Sequence, residues 1–270
     1  MNDHIKSIKI GSNPSISVDY SGEGEMIVFL HGIGGNKKNW DENIKFFSKK
    51  FFLSVAWDTR GYGESDDYIG DLNFQDVLDD LKKVLKYFNK DKAHIVGLSM
   101  GGQIATLFYE KFPGLVKSLI LCDTHFGLSN LSSQEIEKFI NLRKEPLLQG
   151  KEPVDIAPIV ASTLIGDMNN KTAYGKLVKS MSILHKNSYL KTIEASMRTE
   201  HRHVFETINI PTLIMVGELD TLTPPSMAKD IKEKIPNSLI KIVPNAGHLI
   251  NIEQPKLFNN YLLSFLKNLK

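Results

Sequence analysis

Cysteine is almost absent from this chain of 270 residues, which contains only Cys122. A lone cysteine excludes an intrachain disulfide and any zinc or iron–sulfur site built from several cysteines. An excess of one charge is also missing, because 33 lysines and arginines face 31 acidic residues and the net charge is +2. Nucleic-acid-binding and membrane-surface proteins usually carry a basic excess, so neither class is favoured.

Long hydrophobic runs are absent as well. Apolar stretches such as residues 26–30 (MIVFL) and 119–122 (LILC) are far shorter than the roughly 20 residues that cross a bilayer. The first residues, MNDHIKSIKIG, lack the apolar segment of a signal peptide. With 41% hydrophobic and 24% charged residues, the composition suits a globular protein with a large core. We therefore expect a cytoplasmic protein, and its sequence leaves a homo-oligomer open.

Short apolar runs alternate with helix-period segments in the first half of the chain. The runs are residues 26–30, 51–57, 93–98 and 116–122. Continuous apolar runs of this length predict strands buried on both faces, as in a parallel sheet. Residues 74–88 and 104–112 show helical spacing of apolar residues between them, which predicts an α/β fold. Residues 5–10 and 16–20 predict an N-terminal hairpin.

The alternation stops between residues 125 and 207 and then resumes. Residues 132–135 (SSQE) form a capping-box pattern that opens a helix, and the following segments predict more helices without a convincing strand. Strand-like runs return at residues 212–217 and 239–243, and an amphipathic helix closes the chain. The sequence thus predicts an α/β core (1–124 and 208–270) interrupted by a helical cap (125–207).

The strongest local motif is residues 97–102 (GLSMGG), between a predicted strand and a predicted helix. This context is typical of the nucleophile elbow, a strained turn that exposes a serine hydroxyl at a helix N-terminus. The alternative is an ordinary strand–helix turn in which Ser99 only caps the helix. A serine nucleophile needs a base and an orienting acid. His248 and Asp220 each follow a later predicted strand, in the order that elbow enzymes use.

Two further residues complete the catalytic hypothesis. Acyl transfer places negative charge on the carbonyl oxygen, which preorganised backbone N–H groups stabilise. We predict that Met100, directly after the nucleophile, and Ile33, in the glycine-rich segment 31–35 (HGIGG), supply those groups. Asp123, at the end of another predicted strand, is the alternative acid for His248.

Five segments together resemble the α/β-hydrolase superfamily. They are residues 31–35 (HGIGG), 58–65 (DTRGYGES), 97–102 (GLSMGG), 217–220 (GELD) and 247–255 (GHLINIEQP). Within it, the chain is most similar to the 3-oxoadipate enol-lactonase and carboxylesterase group. The resemblance implies an α/β-hydrolase fold with a mostly parallel sheet and a helical cap. It also implies a serine hydrolase that cleaves a small ester or lactone without a metal or organic cofactor. A C–C bond hydrolase, a cofactor-free haloperoxidase and a non-catalytic binding member stay open as alternatives.

The cap residues that meet a substrate are the least defined part of the prediction. Arg143 and Arg198 are candidates for binding a substrate carboxylate, because arginine pairs with carboxylates in a bidentate manner. Trp40 is a candidate for lining the pocket beside the glycine-rich segment 31–35, and the alternative is that it only packs the first helix. His201 and His203 are two apart on a predicted helix and point in different directions, so a shared metal is not favoured over a solvated helix surface.

Overall fold

The central element of the computed structural model is one eight-stranded sheet. The structure describes residues 4–127 and 132–269. The strands are β1 (Lys6–Ile10), β2 (Ile16–Ser21), β3 (Glu25–Leu30), β4 (Phe52–Trp57), β5 (Ala93–Leu98), β6 (Val116–Cys122), β7 (Thr212–Gly217) and β8 (Leu239–Val243). Their spatial order is β1-β2-β4-β3-β5-β6-β7-β8. Only the pairings of β1 with β2 and of β2 with β4 are antiparallel. The predicted α/β class and the N-terminal hairpin are confirmed.

Alternate residues of the central strands pack into two different cores, one on each face of the sheet. Val28 packs in one cluster of buried residues, whereas its neighbours Ile27 and Phe29 pack in the other. This is the two-residue period of a strand, with both faces apolar because helices cover both. The covering helices are α1 (Asp41–Ser48), α2 (Phe74–Tyr87), α3 (Met100–Lys111), α9 (Pro225–Lys234), α10 (Ile250–Glu253) and α11 (Pro255–Lys267).

Between β6 and β7 the described residues form helices and no strand. The helices are α4 (Ser133–Leu148), α5 (Pro153–Leu164), α6 (Lys171–Ser182), α7 (Lys186–Arg198) and α8 (Arg202–Phe205). Ser132 and Glu135 make the reciprocal capping box that the sequence predicts at the start of α4. We call described residues 132–207 the helical insertion.

The helical insertion has a core of its own, to which Ile140, Ala157 and Ile193 contribute. Phe126 and Phe205, at its two junctions, pack instead in the core of the sheet domain. The predicted boundaries at 124/125 and 207/208 stay a prediction. Within residues 4–127 and 132–269, no helix is long and apolar enough to span a bilayer.

Candidate active site

Ser99 lies in a sharp turn between the end of β5 and the start of α3. Its backbone has φ 55° and ψ −117°, a conformation that L-residues rarely adopt and that costs free energy. The neighbouring glycines permit the turn. A Cβ atom on Gly97 would lie 2.2 Å from the Gly101 carbonyl oxygen, and one on Gly101 would lie 2.2 Å from that of Leu30. The turn geometry is that of a nucleophile elbow.

Backbone hydrogen bonds hold Ser99 in place, whereas its side chain does not cap the helix. The Ser99 N–H donates to the Cys122 carbonyl oxygen at 2.9 Å, and the Thr124 hydroxyl donates to the Ser99 carbonyl oxygen at 2.8 Å. Ser99 is the N-cap residue of α3, but its hydroxyl makes no capping hydrogen bond. The alternative of a simple capping serine is therefore wrong.

His248 and Asp220 form a buried pair at the carboxyl ends of β8 and β7. His248 Nδ1 lies 2.9 Å from Asp220 Oδ2, and both residues are almost fully buried. The Asp220 carboxyl also accepts hydrogen bonds from the Thr223 hydroxyl and from the N–H groups of Leu222 and Thr223. Because Nδ1 donates to the carboxylate, Nε2 is the ring nitrogen left to act on a substrate or on Ser99.

The charge on Asp220 is strongly stabilised. Burial alone would raise its pKa, but the charge of His248 and the hydrogen bonds from His248 and Thr223 outweigh that effect and lower the pKa to about 2. The carboxylate therefore stays ionised at neutral pH and fixes the tautomer of His248.

Asp123, the alternative acid, serves a different set of contacts. Its carboxyl accepts the Gly217 N–H at 2.8 Å and the Ile250 N–H at 3.4 Å, so it links the ends of β6 and β7 to the segment after His248. Burial, reinforced by the Asp220 carboxylate, raises the pKa of Asp123 well above its usual range. The geometry thus pairs His248 with Asp220.

Sequence reasoning missed Glu253, which fixes the loop that carries His248. Its carboxyl accepts the Gly247 N–H at 2.9 Å and the Gly166 N–H at 2.8 Å, and the His248 N–H donates to the Leu164 carbonyl oxygen at 2.8 Å. A Cβ atom on Gly247 would lie 2.4 Å from the Gly166 nitrogen. We call these contacts of residues 164–166 with 247–253 the His248 joint. Glu253 follows His248 in a quoted motif, but the sequence does not show its partner Gly166.

The glycine-rich segment after β3 faces Ser99. A Cβ atom on Gly32 would lie 2.9 Å from Ser99 Cβ, so the two backbones approach closely. His31 anchors the segment: its Nε2 accepts the Thr59 N–H at 3.1 Å and its Nδ1 lies 2.9 Å from the Gly32 carbonyl oxygen. Met100 is the first residue of α3, where a backbone N–H has no partner within the helix. Ile33 and Met100 line one cavity with Ser99.

Two cavities adjoin Ser99 and His248. The larger, of about 230 Å³, lies under the helical insertion and is mainly lined by apolar side chains such as Phe139, Val160 and Met197. The smaller, of about 20 Å³, lies on the side of the glycine-rich segment. We call them the large cavity and the small cavity. A large apolar cavity with a few polar groups is typical of a site for a small molecule.

Comparison with known proteins places the chain in a family. The model of the family with the α/β hydrolase fold matches residues 25–255. The chain belongs to the α/β-hydrolase family. It is 28% identical to a putative 2-succinyl-6-hydroxy-2,4-cyclohexadiene-1-carboxylate synthase of Bacillus subtilis, over 91% of both chains. It is 26% identical to 3-oxoadipate enol-lactonase 1 of Acinetobacter baylyi, over 96% of this chain and 95% of the relative.

A solved structure shows the same fold over nearly the whole length. A thermophilic esterase from Thermogutta terrifontis superposes with a TM-score of 0.89 at 23% identity, covering 98% of this chain and 99% of the other. The resemblance to the α/β-hydrolase superfamily and to its enol-lactonases and esterases is confirmed.

The structure separates the two arginine candidates of this α/β-hydrolase. Arg143 lines the large cavity, where its guanidinium lies 3.6 Å from the centre of the Phe139 ring. Burial lowers the pKa of Arg143, although Tyr189 acts in the opposite direction. Arg198 instead lies on the surface and is 52% exposed, paired with Glu137 and Glu194. The structure does not bring Arg198 to the cavity, because its helix presents it to solvent.

Trp40 lines the small cavity and is also a core residue. Its ring stacks on Phe29 with 5.0 Å between ring centres and lies 5.9 Å from the ring of Phe258. Trp40 therefore combines both roles that the sequence left open, packing and lining a cavity beside Ser99.

The histidines of the helical insertion differ from the expected solvated pair. His203 is exposed beside Glu110, but His201 is fully buried and packs against His125 and Phe205. The surface interpretation is wrong for His201, because α8 packs against the sheet core. Burial, with the charges of His201 and His248, lowers the pKa of His125 to about 3. The residues that the structure describes include no metal-binding cluster of three His, Cys, Asp or Glu side chains.

Proposed function

We propose that this α/β-hydrolase is a serine hydrolase that cleaves a small carboxylic ester or lactone through an acyl-enzyme. The observation that carries the proposal is the buried His248–Asp220 pair, 2.9 Å apart, beside Ser99 in its strained turn. A strained turn costs stability and is retained where it exposes a reactive group. An ionised, hydrogen-bonded Asp220 holds His248 in the tautomer that leaves Nε2 as the base.

In the first half-reaction, His248 Nε2 takes the Ser99 proton while Oγ bonds to the substrate carbonyl carbon. The carbonyl oxygen becomes an oxyanion, and the N–H groups of Ile33 and Met100 stabilise it. Met100 begins α3, so the positive end of the helix dipole adds to that stabilisation. His248 then protonates the leaving alkoxide, which departs as an alcohol or stays attached in an opened lactone. No step requires a metal or organic cofactor.

The size and lining of the large cavity favour a substrate with a small acyl group. Its volume of about 230 Å³ and its apolar walls favour a short hydrophobic chain or ring. Arg143 is an arginine in its lining, which also includes His125, His248 and the acidic Asp230. An acidic substrate buried there needs a cationic partner, and Arg143 is our candidate. We therefore propose a small ester or lactone that carries a carboxylate, in keeping with the name of the enol-lactonase relative.

The test is covalent labelling with a fluorophosphonate probe. Wild type is expected to gain one adduct, mapped to Ser99 by peptide mass spectrometry, and Ser99→Ala is expected to gain none. Ser162→Ala, which changes an exposed serine of α5, is the matched control and should label like wild type. Hydrolysis of an activated aryl ester should persist in EDTA.

Two results would contradict the proposal. Equal labelling of wild type and Ser99→Ala would show that Ser99 is not the nucleophile. Ligand binding without turnover of any ester or lactone would instead indicate a non-catalytic member of the family.

A further inference from the structure

His125, in the wall of the large cavity, has a ring nitrogen that no other group of the described chain contacts through a hydrogen bond. The residue comes shortly after β6 and lines the cavity together with Ser99 and His248. Among residues 4–127 and 132–269, His125 Nε2 has no hydrogen-bond partner, and it is not one of the polar atoms that are fully enclosed there. This nitrogen is therefore open to a molecule in the cavity.

The contact at the other ring nitrogen fixes the tautomer of His125. The Gly127 N–H donates to His125 Nδ1 at 3.2 Å, and because a backbone N–H only donates, Nδ1 carries no proton. The proton of the neutral imidazole is therefore on Nε2. Burial, with the charges of His201 and His248, lowers the pKa of His125 to about 3, so the ring is neutral at neutral pH. The large cavity thus contains an uncharged N–H donor.

Buried contacts hold this ring near Ser99. His201 Nε2 donates to the His125 carbonyl oxygen at 3.2 Å, and the two rings pack edge to face with 5.1 Å between their centres. The preceding residue, Thr124, donates from its hydroxyl to the Ser99 carbonyl oxygen at 2.8 Å. A donor that is already held in place loses little conformational freedom on binding. His125 is therefore preorganised to meet the part of a substrate that lies beside Ser99.

Most other uncharged polar side chains of the described cavity lining are already engaged, apart from the nucleophile. The hydroxyls of Ser196 and Thr223 donate to other side chains. Tyr189 lies near enough to Arg143 for each to shift the pKa of the other, so its hydroxyl accompanies the arginine. Among these described residues, the His125 N–H is the uncharged donor left for a second group of the substrate.

We propose that the Nε2–H group of His125 binds an uncharged oxygen of the acyl group, such as an ether, ketone or hydroxyl oxygen, and so determines a preference for oxygen-bearing acyl groups. This inference rests on the proposed function and adds a second polar contact to that of Arg143. An all-carbon acyl chain displaces water from the donor and leaves it unpaired. A buried unpaired donor costs free energy, so the site discriminates against such a chain.

The test is a series of aryl esters whose acyl chains have the same length. The pentanoate is compared with ethoxyacetate and 3-methoxypropanoate, in which an oxygen replaces one methylene group. We define the selectivity as kcat/KM for an ether ester divided by kcat/KM for the pentanoate. The intrinsic reactivity of each ester cancels when the selectivity of a variant is divided by that of wild type. A general loss of stability affects all esters alike and leaves the selectivity unchanged.

Two substitutions separate the donor of His125 from its other contacts. His125→Phe removes both ring nitrogens, whereas His125→Gln places an amide N–H donor near the position of Nε2. Neither variant keeps the Nδ1 atom that accepts the Gly127 N–H. His125→Phe should lower the selectivity about tenfold for at least one ether ester, the effect of one hydrogen bond, and His125→Gln should retain most of it. His203→Phe, which changes an exposed histidine beside Glu110, and Tyr189→Phe should match wild type.

The outcomes separate this inference from the function it rests on. Unchanged selectivity in His125→Phe, or an equal loss in both His125 variants, refutes the contact while the serine hydrolase stands. A loss in Tyr189→Phe without one in His125→Phe also refutes it and assigns the contact to the tyrosine. If wild type hydrolyses none of these esters, this inference fails, and labelling of Ser99 decides the serine hydrolase separately. If Ser99→Ala forms the same products at the same rate as wild type, both proposals fail.

Discussion

The sheet and the helical insertion contribute unlike halves of the candidate site. The sheet side supplies charged and strained groups, each tied by several hydrogen bonds, as Asp220 is by His248, Thr223 and Leu222. The insertion side supplies mainly apolar walls, with Arg143 contacting Phe139 through its ring and carbonyl oxygen. Hydrogen bonds fix the position of a reacting atom closely, whereas an apolar wall mainly fixes volume.

This contrast predicts different effects for substitutions on the two sides. Substitutions on the sheet side are expected to lower turnover of every substrate, because they alter the groups that we propose to react. Substitutions on the insertion side are expected to change which substrates are accepted. Each prediction below tests one side against a matched residue.

The largest effect is expected for Asp220→Asn. The amide keeps the shape but favours the wrong tautomer of His248, so kcat should fall about 10⁴-fold, as in serine proteases with the equivalent change. Asp123→Asn is the matched control and should cost far less, because Asp123 contacts backbone N–H groups instead of His248. Steady-state kinetics on one aryl ester measures both, and the reverse ranking would assign the acid to Asp123.

A smaller and substrate-dependent effect is expected for Arg143→Ala. Removing the cationic partner of a buried carboxylate costs roughly 2–5 kcal/mol, so kcat/KM for an acidic lactone or ester should fall about 30-fold or more. Its neutral methyl ester should be nearly unaffected. Arg198→Ala, which changes an exposed arginine paired with Glu137 and Glu194, should leave both substrates unchanged. Equal losses on both substrates, or a wild-type preference for the neutral ester, would favour a general carboxylesterase.

The smallest effect is a pH-dependent contribution of Asp220 to stability. Its pKa of about 2 in the folded protein lies below the usual 3.8, so the stabilisation is fully present above pH 4 and is lost as the pH falls through 2. The shift corresponds to a stabilisation on the order of 2 kcal/mol. Urea unfolding of wild type and Asp220→Asn at pH 6 and pH 3 measures it, and their difference should shrink at pH 3.

Asp123 should respond with the opposite sign. Its pKa is raised in the folded protein, so stability is lost as the pH rises above the usual carboxyl pKa. Wild type should therefore lose stability relative to Asp123→Asn between pH 3 and pH 6. A parallel response of the two variants would mean that the carboxyls share one environment.

The sheet side was also the more predictable half from sequence. Its strands are short apolar runs, and Ser99, Asp220 and His248 each follow one of them, so chain order alone indicates that they meet at one edge of the sheet. Which of the two carboxyls, Asp220 or Asp123, contacts His248 was less predictable. Both follow a strand, and only the three-dimensional direction of each carboxyl distinguishes them.

The side-chain positions on the insertion side could not be predicted from the sequence, for a physical reason. Arg143 and Arg198 lie on amphipathic helices, and the helical period does not reveal which partner each helix face meets. His201 looked like a surface residue for the same cause, since α8 is a short helix whose burial depends on contacts with α3 and the sheet core. The small cavity was also unpredictable, because it forms where residues far apart in the chain, Trp40 and Asn251, come together.

The His248 joint bears on how new variants of this protein are built. It ties the end of α5 to the loop that carries His248, through the Leu164 carbonyl oxygen and through Glu253, at a point where two glycine backbones touch. A chimaera that exchanges the helices for those of another hydrolase replaces one partner of the loop that carries His248. Such a graft has to keep residues 164–166, with glycine at 166, because otherwise the exchange of helices also displaces His248.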